Sequence, residues 1–575
     1  MIIYIDTETT GVNLFTGDKI FGISWALGDT EPRYIDVRNQ DIAPFKRDLN
    51  KADLVVAHNV KFDAHALYQI GIDLIHYNLD CTMVRAQLLD EHKFNYDLDS
   101  LTGEKLDIID DLADMFGGKA TKNVQMKNLH KVSPEFVARY AKQDIVALRK
   151  LYKEQEEQEF PPVYELERKV IKVLIQMERR GIRVDTGKID ETIYSVKKMI
   201  DAKQKELDSI AGKHLNVNST PQMRGFLVKK RLKSGKFELV DGTIAGATKA
   251  DAASLDADTL KQMTYPPAKL ILDIRRYKKI LDTFLVSQIQ GHLVNGRVHP
   301  NFNQTRVVTG RLSCNSPNLQ AIPKRDPEMK KLLRSLFIPE EGAKLLRCDY
   351  EQSDVRGFAH YISLRDPDHP IKKAYQKDPY TDFHTLVAEM MDIPRDPNPE
   401  TGNAKQLNLA QIFGMGAGKL AQTMGLNYTI NEEGFLVPGE EAQRLFDLYH
   451  ETIPGVGNMS KKAAHRARLR GYVISILGRY LRFPDKRFCH KAAGYLYQAW
   501  TADIIKAAMV STYKVQPLHL SVHDELIFSV YDMELISVIK HKMESVLDGI
   551  SDIPIRTVPE IGDNWASTKP ITEGY

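Results

Sequence analysis

The sequence is poor in cysteine and has no long uncharged apolar run. Its four cysteines lie far apart without a CxxC pair, which argues against a disulfide scaffold and a cysteine zinc site. No stretch approaches about 18 uncharged apolar residues, so we expect no membrane span. The start, MIIYIDTETTG, lacks the basic region of a signal peptide and reaches carboxylates at Asp6 and Glu8. These absences favour a protein of the reducing cytoplasm.

A strong excess of one charge is also absent, since 79 basic and 76 acidic residues leave a net charge of +3. This average hides an uneven distribution: residues 1–160 carry −8 and residues 161–575 carry +11. Residues 261–340 alone carry +9. Near-neutrality therefore does not exclude a nucleic-acid partner, because acidic surface elsewhere can offset a basic groove. The length predicts about three or four domains or subdomains.

Hydrophobic patterning predicts a change of architecture near residue 160. The runs IIYIDTE, FGISWAL and LVVAH are typical of strands in an α/β domain. The acidic run KEQEEQEF, followed by Pro161 and Pro162, indicates a boundary. From residue 163, VYELERKVIKVLIQMERRG has helical periodicity and ends at Gly181. The segment 231–255 is predicted to be a mobile loop, and the pattern leaves open whether it is a flexible thumb tip or a partner-docking insertion.

The first cluster of candidate functional residues lies in the N-terminal part. Asp6 and Glu8 are two residues apart on a predicted strand, so they project from one face. Asp63 follows the strand LVVAH, and Tyr140 and Asp144 share one face of a predicted helix. Hard carboxylate oxygens suit Mg²⁺ or Mn²⁺. Together these side chains could hold two such ions about 4 Å apart, as two-metal phosphodiester hydrolysis requires.

A second cluster combines two distant segments. Asp349 ends the predicted strand KLLRCDY, and LSVHDELIFSV places Asp524 and Glu525 in a polar break between apolar strands. A buried carboxylate without a partner is costly, so two such sites favour a shared metal. Salt-bridged core acids are an equally good explanation for each site taken alone.

The segment GNAKQLNLAQIFGMGAG lies between these two sites. It spaces Lys405, Leu409 and Phe413 by four residues, which places them on one helical face. A cation, an apolar side chain and an aromatic ring on one stripe could contact a triphosphate, a sugar and a base. Taken alone, the segment is better explained as an amphipathic helix with a core face.

Three motifs carry a resemblance to a known family. DTETTG, HNVKFD and YAKQD resemble, in the same order, the motifs of the DEDDy 3′–5′ proofreading exonucleases. The resemblance implies a ribonuclease-H-like α/β domain over residues 1–158. It also implies that Asp6, Glu8, Asp63 and Asp144 bind metal and that Tyr140 orients the attacking water.

Five longer motifs resemble family A, the DNA polymerase I-like DNA polymerases: TGRLSCNSPNLQAIP, DYEQSDVRG, AKQLNLAQIFGMG, YQAWTADIIKAAM and VHDEL. The resemblance implies an α+β polymerase right hand over residues 159–575. Its thumb would span about 163–300, its palm about 301–370 and 505–575, and its fingers about 371–504. The implied function is template-directed extension of a primer 3′ end with dNTPs, combined with proofreading. The compact layout resembles bacteriophage replication polymerases.

The same resemblance assigns roles in the polymerase half. Asp349 and Asp524, with the backbone carbonyl of Tyr350, would bind two Mg²⁺ ions, and the exonuclease site would bind two more, with Mn²⁺ as a substitute. Lys405 would meet the triphosphate, and Glu525 would lie near the primer terminus. The other matched residues are the nucleotide-binding Asp354, His384, Leu409 and Phe413 and the DNA-binding Arg311, Gln498 and His523.

Basic helices between residues 265 and 285 are predicted to belong to the thumb. Arg275 and Lys278 would contact DNA phosphates there. A solvated helix face is the alternative explanation for these cations.

The chain departs from the family at its nucleotide-facing positions. Asp354 replaces a Glu, Leu409 an aromatic residue, Phe413 a Tyr and Thr401 an Arg. Gly494 stands where Asn is common. These departures leave open an altered choice of sugar or an unusual nucleotide, such as a modified purine.

Two other functions compete with a proofreading polymerase. One is a 3′–5′ DNA exonuclease whose polymerase half mainly grips DNA, and the other is a non-enzymatic scaffold. Eight matching catalytic positions argue against the scaffold. The expected partners are primer-template DNA, dNTPs and accessory replication proteins, with no membrane. We expect a monomer in the cytoplasm, or in the host cytoplasm if the chain is viral.

Overall fold

The computed structural model describes residues 1–571 except 104–107, 325, 397–402 and 432. The N-terminal part is a five-stranded sheet covered by helices. Its strands are β1 (Ile2–Thr9), β2 (Ile20–Leu27), β3 (Arg33–Asp36), β4 (Leu54–Ala57) and β5 (Leu79–Cys81). Its helices are α1 (Ala43–Leu49), α2 (Val60–Tyr68), α3 (Thr82–Leu89), α4 (Leu98–Thr102), α5 (Ile108–Phe116), α6 (Lys122–Gln125) and α7 (Pro134–Glu156).

The central strand of this sheet is β1. The strand order is β3-β2-β1-β4-β5, with β1 parallel to β4 and antiparallel to β2. Ile3 and Ile5 belong to the apolar cluster on one side, whereas Tyr4 packs with Ile145 on the other. Because both faces are covered, the strand is an almost continuous apolar run rather than an alternating one. The predicted α/β class is confirmed.

The remaining chain is richer in helices. They are α8 (Tyr164–Arg180), α9 (Thr186–Ala211), α10 (Thr220–Leu227), α11 (Ala257–Gln262), α12 (Pro266–Lys278), α13 (Pro327–Arg334), α14 (Ser353–Ser363), α15 (Pro370–Lys377), α16 (Phe383–Met391), α17 (Ala404–Ile412), α18 (Ala417–Met424), α19 (Glu440–Thr452), α20 (Val456–Arg470), α21 (Ala492–Thr512) and α22 (Leu535–Glu544). A π-helical segment, Lys279–Ile289, continues α12.

The strands of this part are shorter and mostly form small sheets. They are β6 (Ile182–Val184), β7 (Val228–Arg231), β8 (Phe237–Leu239), β9 (Ile244–Ala245), β10 (Leu293–Val294), β11 (Arg297–Val298), β12 (Asn301–Asn303), β13 (Ser313–Asn315), β14 (Phe337–Ile338), β15 (Lys344–Tyr350), β16 (Tyr428–Ile430), β17 (Leu436–Pro438), β18 (Tyr472–Ile474), β19 (Tyr480–Arg482), β20 (Leu518–Val522), β21 (Glu525–Val530), β22 (Thr557–Gly562) and β23 (Lys569–Pro570).

The largest sheet of this part has the antiparallel order β20-β21-β15-β22-β23. Strands β20 and β21 are buried along their whole length and flank a turn at His523 and Asp524, as the sequence predicts. Asp349 of β15 lies opposite Glu525 of β21. This register brings the two carboxylate-bearing segments of the second cluster side by side.

The expectation of a mobile loop at 231–255 is wrong. Strands β8 and β9 form a hairpin that pairs with β7. Its turn includes Asp241 and Gly242, and Gly242 has φ +89°, a conformation that glycine adopts readily. Leu239 and Ala245 are fully buried in the main apolar cluster, which holds the hairpin in place. An Asp-Gly pair between apolar residues is a hairpin signal that the prediction overlooked.

Helix α8 follows the proline pair and ends at Gly181, as predicted. Its Glu167 is almost fully buried and accepts hydrogen bonds from Arg479 (2.5 Å) and Lys506 (2.6 Å). Burial alone would raise the pKa of Glu167, but the two cations outweigh it and lower the pKa to about 2. This buried ion cluster ties α8 to α21 and to the turn between β18 and β19.

Within the described ranges, no helix is both long and apolar enough to cross a membrane.

The Glu167 cluster generates a stability prediction. Glu167→Gln should destabilise the polymerase half by about 3–5 kcal/mol, because it leaves buried cations without their counter-charge. The measurement is the urea midpoint followed by tryptophan fluorescence. The control Glu165→Gln, at an exposed ion pair with Arg168, should change stability by less than about 1 kcal/mol. Equal midpoints for the two variants would contradict the structural role of the cluster.

Candidate active sites

Three acidic side chains converge beside β1. Asp6 and Glu8 project from β1, and Asp144 projects from α7, with one carboxylate oxygen of each within 4.8 Å of the others. Among the described residues, this is the one group of three acidic, histidine or cysteine side chains with such spacing. The two-residue spacing on the strand places Asp6 and Glu8 together, as predicted from the sequence.

The electrostatics of this group favour a cation. Burial raises the pKa of Asp6 well above its usual value, and repulsion from Asp63 raises it further. Burial likewise raises the pKa of Glu8, with added repulsion from Asp6 and Asp144. The Oε1 atom of Glu8 is buried and has no hydrogen-bond partner among the described residues. A hard divalent cation, Mg²⁺ or Mn²⁺, fits these oxygen donors.

Asp63, the fourth predicted ligand, lies outside this group. It sits in the first turn of α2 and accepts hydrogen bonds from the backbone N–H (3.1 Å) and the hydroxyl (2.8 Å) of Thr7. Burial nevertheless raises its pKa to about 7. Asp63 therefore neighbours the three carboxylates but is held by β1 itself.

Tyr140 completes the first site. Burial raises the pKa of its hydroxyl well above the usual value, and Asp144 and Glu8 raise it further, so the hydroxyl keeps its proton. These groups line a cavity of about 910 Å³. Lys122, at the start of α6, also lines this cavity and pairs with Asp99 at 3.0 Å. It was missed because a lone lysine in a short helix carries no sequence signal.

The second cluster lies in a separate cleft of about 550 Å³. The cleft gathers residues from β15, α14, α16, α17 and the turn between β20 and β21. The predicted residues that line it are Asp349, Tyr350, Asp524, Asp354, His384, Lys405, Leu409, Arg311 and His523. Residues as distant in sequence as Arg311 and Asp524 thus share one cavity.

Cations hold the carboxylates at the floor of this cleft. Asp349 accepts hydrogen bonds from Arg347 and from Lys324, the latter at 2.9 Å. Burial raises the pKa of Asp524 to about 7, with a further contribution from the charge of Asp349. Two carboxylates beside the backbone of Tyr350 form an oxygen donor set that suits a divalent cation. Arg347 could have been predicted, because it lies two residues before Asp349 on one strand face; Lys324 could not.

Helices α16 and α17 form the opposite wall. Lys405 is exposed at the start of α17, and Leu409 lies one turn further on. His384 of α16 is buried, which lowers its pKa to about 4, so the ring is neutral. Its Nδ1 accepts a hydrogen bond from the amide of Asn408 at 3.1 Å, which leaves the proton on Nε2. This wall therefore presents a cation and a neutral N–H donor.

The predicted nucleotide-binding residue Asp354 is more enclosed. Asp354 accepts a hydrogen bond from the Thr501 hydroxyl at 3.0 Å, and Arg311 lies 3.6 Å away. Burial raises the pKa of Asp354, and the charge of Arg311 partly offsets this. The short side chain is thus fixed between two partners at the cleft wall.

Three predicted residues do not line the cleft. Glu525 is fully buried and accepts hydrogen bonds from Arg347 Nε (2.5 Å) and Arg334 Nη1 (3.4 Å). Phe413 packs edge-on against the Tyr497 ring, and Gln498 accepts a hydrogen bond from the Thr309 hydroxyl at 3.5 Å. These side chains support the cleft from behind.

Arg275, whose contact with DNA phosphate stays a prediction, already has partners within the protein. Its guanidinium donates to the backbone carbonyls of Val217 and Leu255, so it fastens α12 to the neighbouring loops. Lys278 is half-buried and makes no ion pair within the described residues. Thr401 lies outside them.

Comparison with known proteins identifies a family for each of the two parts of the chain. Residues 187–567 match the family described as DNA polymerase family A, and residues 2–158 match the family described as 3′–5′ exonuclease. The chain is similar to the DNA polymerase DpoZ of Acinetobacter phage SH-Ab 15497, with 37% identity over 94% of each chain. It is 35% identical to DpoZ of Vibrio phage phiVC8, over 87% of this chain and 84% of that one.

Its fold is also similar to a solved structure. The POL domain of Pol1 from M. smegmatis, in complex with DNA primer-template and dNTP, superposes with a TM-score of 0.75 at 22% identity. The match covers 98% of this chain and 96% of that one. At this identity the likeness shows the fold.

The carboxylate group beside β1 generates a binding prediction. Asp144→Asn should weaken Mn²⁺ binding at this site by about tenfold or more, because it removes one charged oxygen ligand. Electron paramagnetic resonance of free Mn²⁺ measures the binding isotherm. Wild-type affinity should rise with pH, because the ligands must release their protons to bind metal. The exposed Asp110→Asn serves as control, and identical isotherms for the two variants would contradict the assignment.

Proposed function

Since this chain belongs to DNA polymerase family A and carries a 3′–5′ exonuclease domain, we propose which of its residues perform each reaction. The protein is a DNA-directed DNA polymerase with 3′–5′ exonuclease activity. The observation that carries the assignment is the cleft that gathers Asp349, Asp524 and Lys405, separate from the Asp6 group. The alternative of an exonuclease with a DNA-gripping half is less well supported, because phage relatives matched along most of their length are named DNA polymerases.

In the polymerase cleft, Asp349, Asp524 and the carbonyl of Tyr350 hold two Mg²⁺ ions, for which Mn²⁺ can substitute. When bound, such ions activate the primer 3′-hydroxyl and stabilise the charge of the departing pyrophosphate. Lys405 and the Nε2–H of His384 bind the triphosphate oxygens from the opposite wall. Arg347 and Lys324 keep Asp349 in place, and buried Glu525 acts as a positioning residue through Arg347.

The residues that face the nucleotide's sugar and base differ from those that are usual in the family. Asp354 is the sugar gate, and Leu409 packs against the base. Phe413 supports this wall from behind, where a Cβ on Gly494 would lie 3.2 Å from its ring. The Phe413 and Gly494 departures therefore fit each other, since a larger residue at 494 would crowd the ring. The departures support an altered nucleotide choice, including a modified purine.

Primer-template DNA occupies the mouth of the cleft. Arg311, which lines it, and Gln498 contact the minor-groove edge near the new base pair, and His523 lies beside the primer terminus. Lys278 contacts the phosphate backbone.

Domain limits of 1–158 for the exonuclease and 159–575 for the polymerase fit the break between α7 and α8. We place the thumb at about 163–300, the palm at about 301–370 and 505–575, and the fingers at about 371–504.

In the exonuclease site, Asp6, Glu8 and Asp144 hold the metal ions, with Asp63 completing the set. Tyr140, which keeps its proton, orients the attacking water by donating or accepting a hydrogen bond.

The protein works as a monomer with primer-template DNA, dNTPs and accessory replication proteins. Its phage relatives support action in the host cytoplasm.

Separate sites predict separable activities. Asp524→Asn should lower primer extension by about 10³-fold, because several kcal/mol of metal-mediated charge stabilisation is lost. Asp6→Asn should lower primer shortening similarly and leave extension intact. The measurement is a labelled primer-template incubated with Mg²⁺, with and without dNTPs, and each variant is the control for the other. Loss of both activities in either variant, or degradation alone in wild type, would contradict the proposal.

The nucleotide-facing departures predict altered selectivity. Asp354→Glu, one methylene longer, should increase discrimination against ribonucleotides by about tenfold by closing the space at the sugar. Leu409→Tyr should reduce any preference for a base-modified purine over dATP. Single-nucleotide insertion gives kcat/KM for each substrate. Equal efficiencies for natural and modified purines in wild type would remove the modified-purine hypothesis, and unchanged ribonucleotide discrimination would contradict the gate.

A further inference from the structure

Helix α20 carries an unbalanced charge. Its 15 residues include no acidic side chain and six basic ones: Lys461, Lys462, His465, Arg466, Arg468 and Arg470. The helix dipole accounts for cations in the last turn, because its effect falls off beyond that turn. It does not account for Lys461 and Lys462, which lie more than one turn earlier. Another interaction must explain the basic character of the helix.

Four cations gather around one cavity beside this helix. Lys462, Arg466 and Arg470 line a cavity of about 210 Å³ together with Arg365, which follows α14. No acidic residue lines this cavity. All four cations are exposed, and none has an ion pair or a side-chain hydrogen bond within the described part of the chain. Elsewhere the protein pairs its arginines readily, as in the Glu167 cluster.

The exposed apolar side chains that line the cavity are aliphatic, whereas its two tyrosines are buried (Tyr361) or half-buried (Tyr472). Leu364 is 65% exposed and Ile474 is 42% exposed, although both are large and apolar. Met459 and Leu496, which are less exposed, also line the cavity. We call this surface, with its four cations, the α20 pocket.

The α20 pocket is distinct from the polymerase cleft. Asp354, near the start of α14, lines the cleft, whereas Leu364 and Arg365 follow the end of the same helix. Ten residues of helix separate Asp354 from Leu364 by about 15 Å. DNA held in the cleft would therefore be at the other end of α14.

We propose that the α20 pocket docks an acidic segment of a partner protein, with one aliphatic or aromatic side chain inserted between the cations. The stripe of Lys462, Arg466 and Arg470 repeats every four residues, about 6 Å along the axis. Carboxylates repeated at the same interval on a helical peptide match this spacing. Surfaces that bind single-stranded nucleic acid present exposed aromatic rings for stacking, whereas here Tyr361 is buried, Tyr472 is half-buried, and the exposed apolar side chains are aliphatic.

Fluorescence anisotropy of the full-length protein tests this proposal. The probe is a labelled helical peptide of about 16 residues with glutamate every fourth position and leucines beside them. The double variant Arg466→Glu/Arg470→Glu should weaken its binding by about tenfold, because both contacts become repulsive. Primer extension should stay within about twofold of wild type, since neither residue lies in the cleft.

Three matched probes and variants define the outcome. Lys46→Glu/Arg47→Glu, on exposed α1, changes the net charge equally and should leave peptide affinity unchanged. A peptide with serine in place of leucine should bind several-fold more weakly, because the apolar anchor is lost. The proposal is overturned if the glutamate-leucine peptide fails to bind. It is equally overturned if oligo-dT binds more tightly than the peptide with the same dependence on Arg466 and Arg470.

Discussion

The arrangement of the two halves depends on two buried glutamates of α8. Glu167 and Glu178 are each about 2% exposed or less, and a buried carboxylate is stable only if cations and hydrogen-bond donors surround it. The partners of Glu167 come from the polymerase half: Gln304, Arg479 and Lys506. Those of Glu178 come from both halves: Lys61, His65 and the backbone N–H of Phe302. Through the contacts of Glu178, helix α8 therefore links the exonuclease half to the polymerase half.

The same balance of buried charge shapes both active sites. Beside β1 the carboxylates of Asp6, Glu8 and Asp144 crowd together with little internal compensation, and one oxygen of Glu8 has no partner among the described residues. Such a group binds a divalent cation strongly because the cation relieves their repulsion. In the polymerase cleft, Arg347 and Lys324 already hold Asp349. The protein therefore stabilises its two metal-binding groups in different ways.

Three of the residues that depart from the family at the nucleotide-facing positions are explained by the contacts that they make with their neighbours. Gly494 leaves room for the ring of Phe413, whose edge rests on Tyr497. Thr501 holds Asp354 at the cleft wall. Arg395 also lines the cleft and is engaged by Asp382. Gly494, Phe413 and Asp354 are each contacted by their neighbours, so these residues form an ordered surface.

The sequence alone determined the architecture and predicted most of the residues that line the two candidate sites, because those signals are local. Strand periodicity and the two-residue spacing of Asp6 and Glu8 predicted a shared face, and the helical period predicted α8 with its end at Gly181. Only the tertiary structure decided which charges meet. Lys324 reaches Asp349, Glu178 reaches Lys61, and Arg275 donates to the carbonyl of Val217, all through contacts between residues far apart in the chain. Such contacts depend on how elements pack, and no local pattern of residues encodes them.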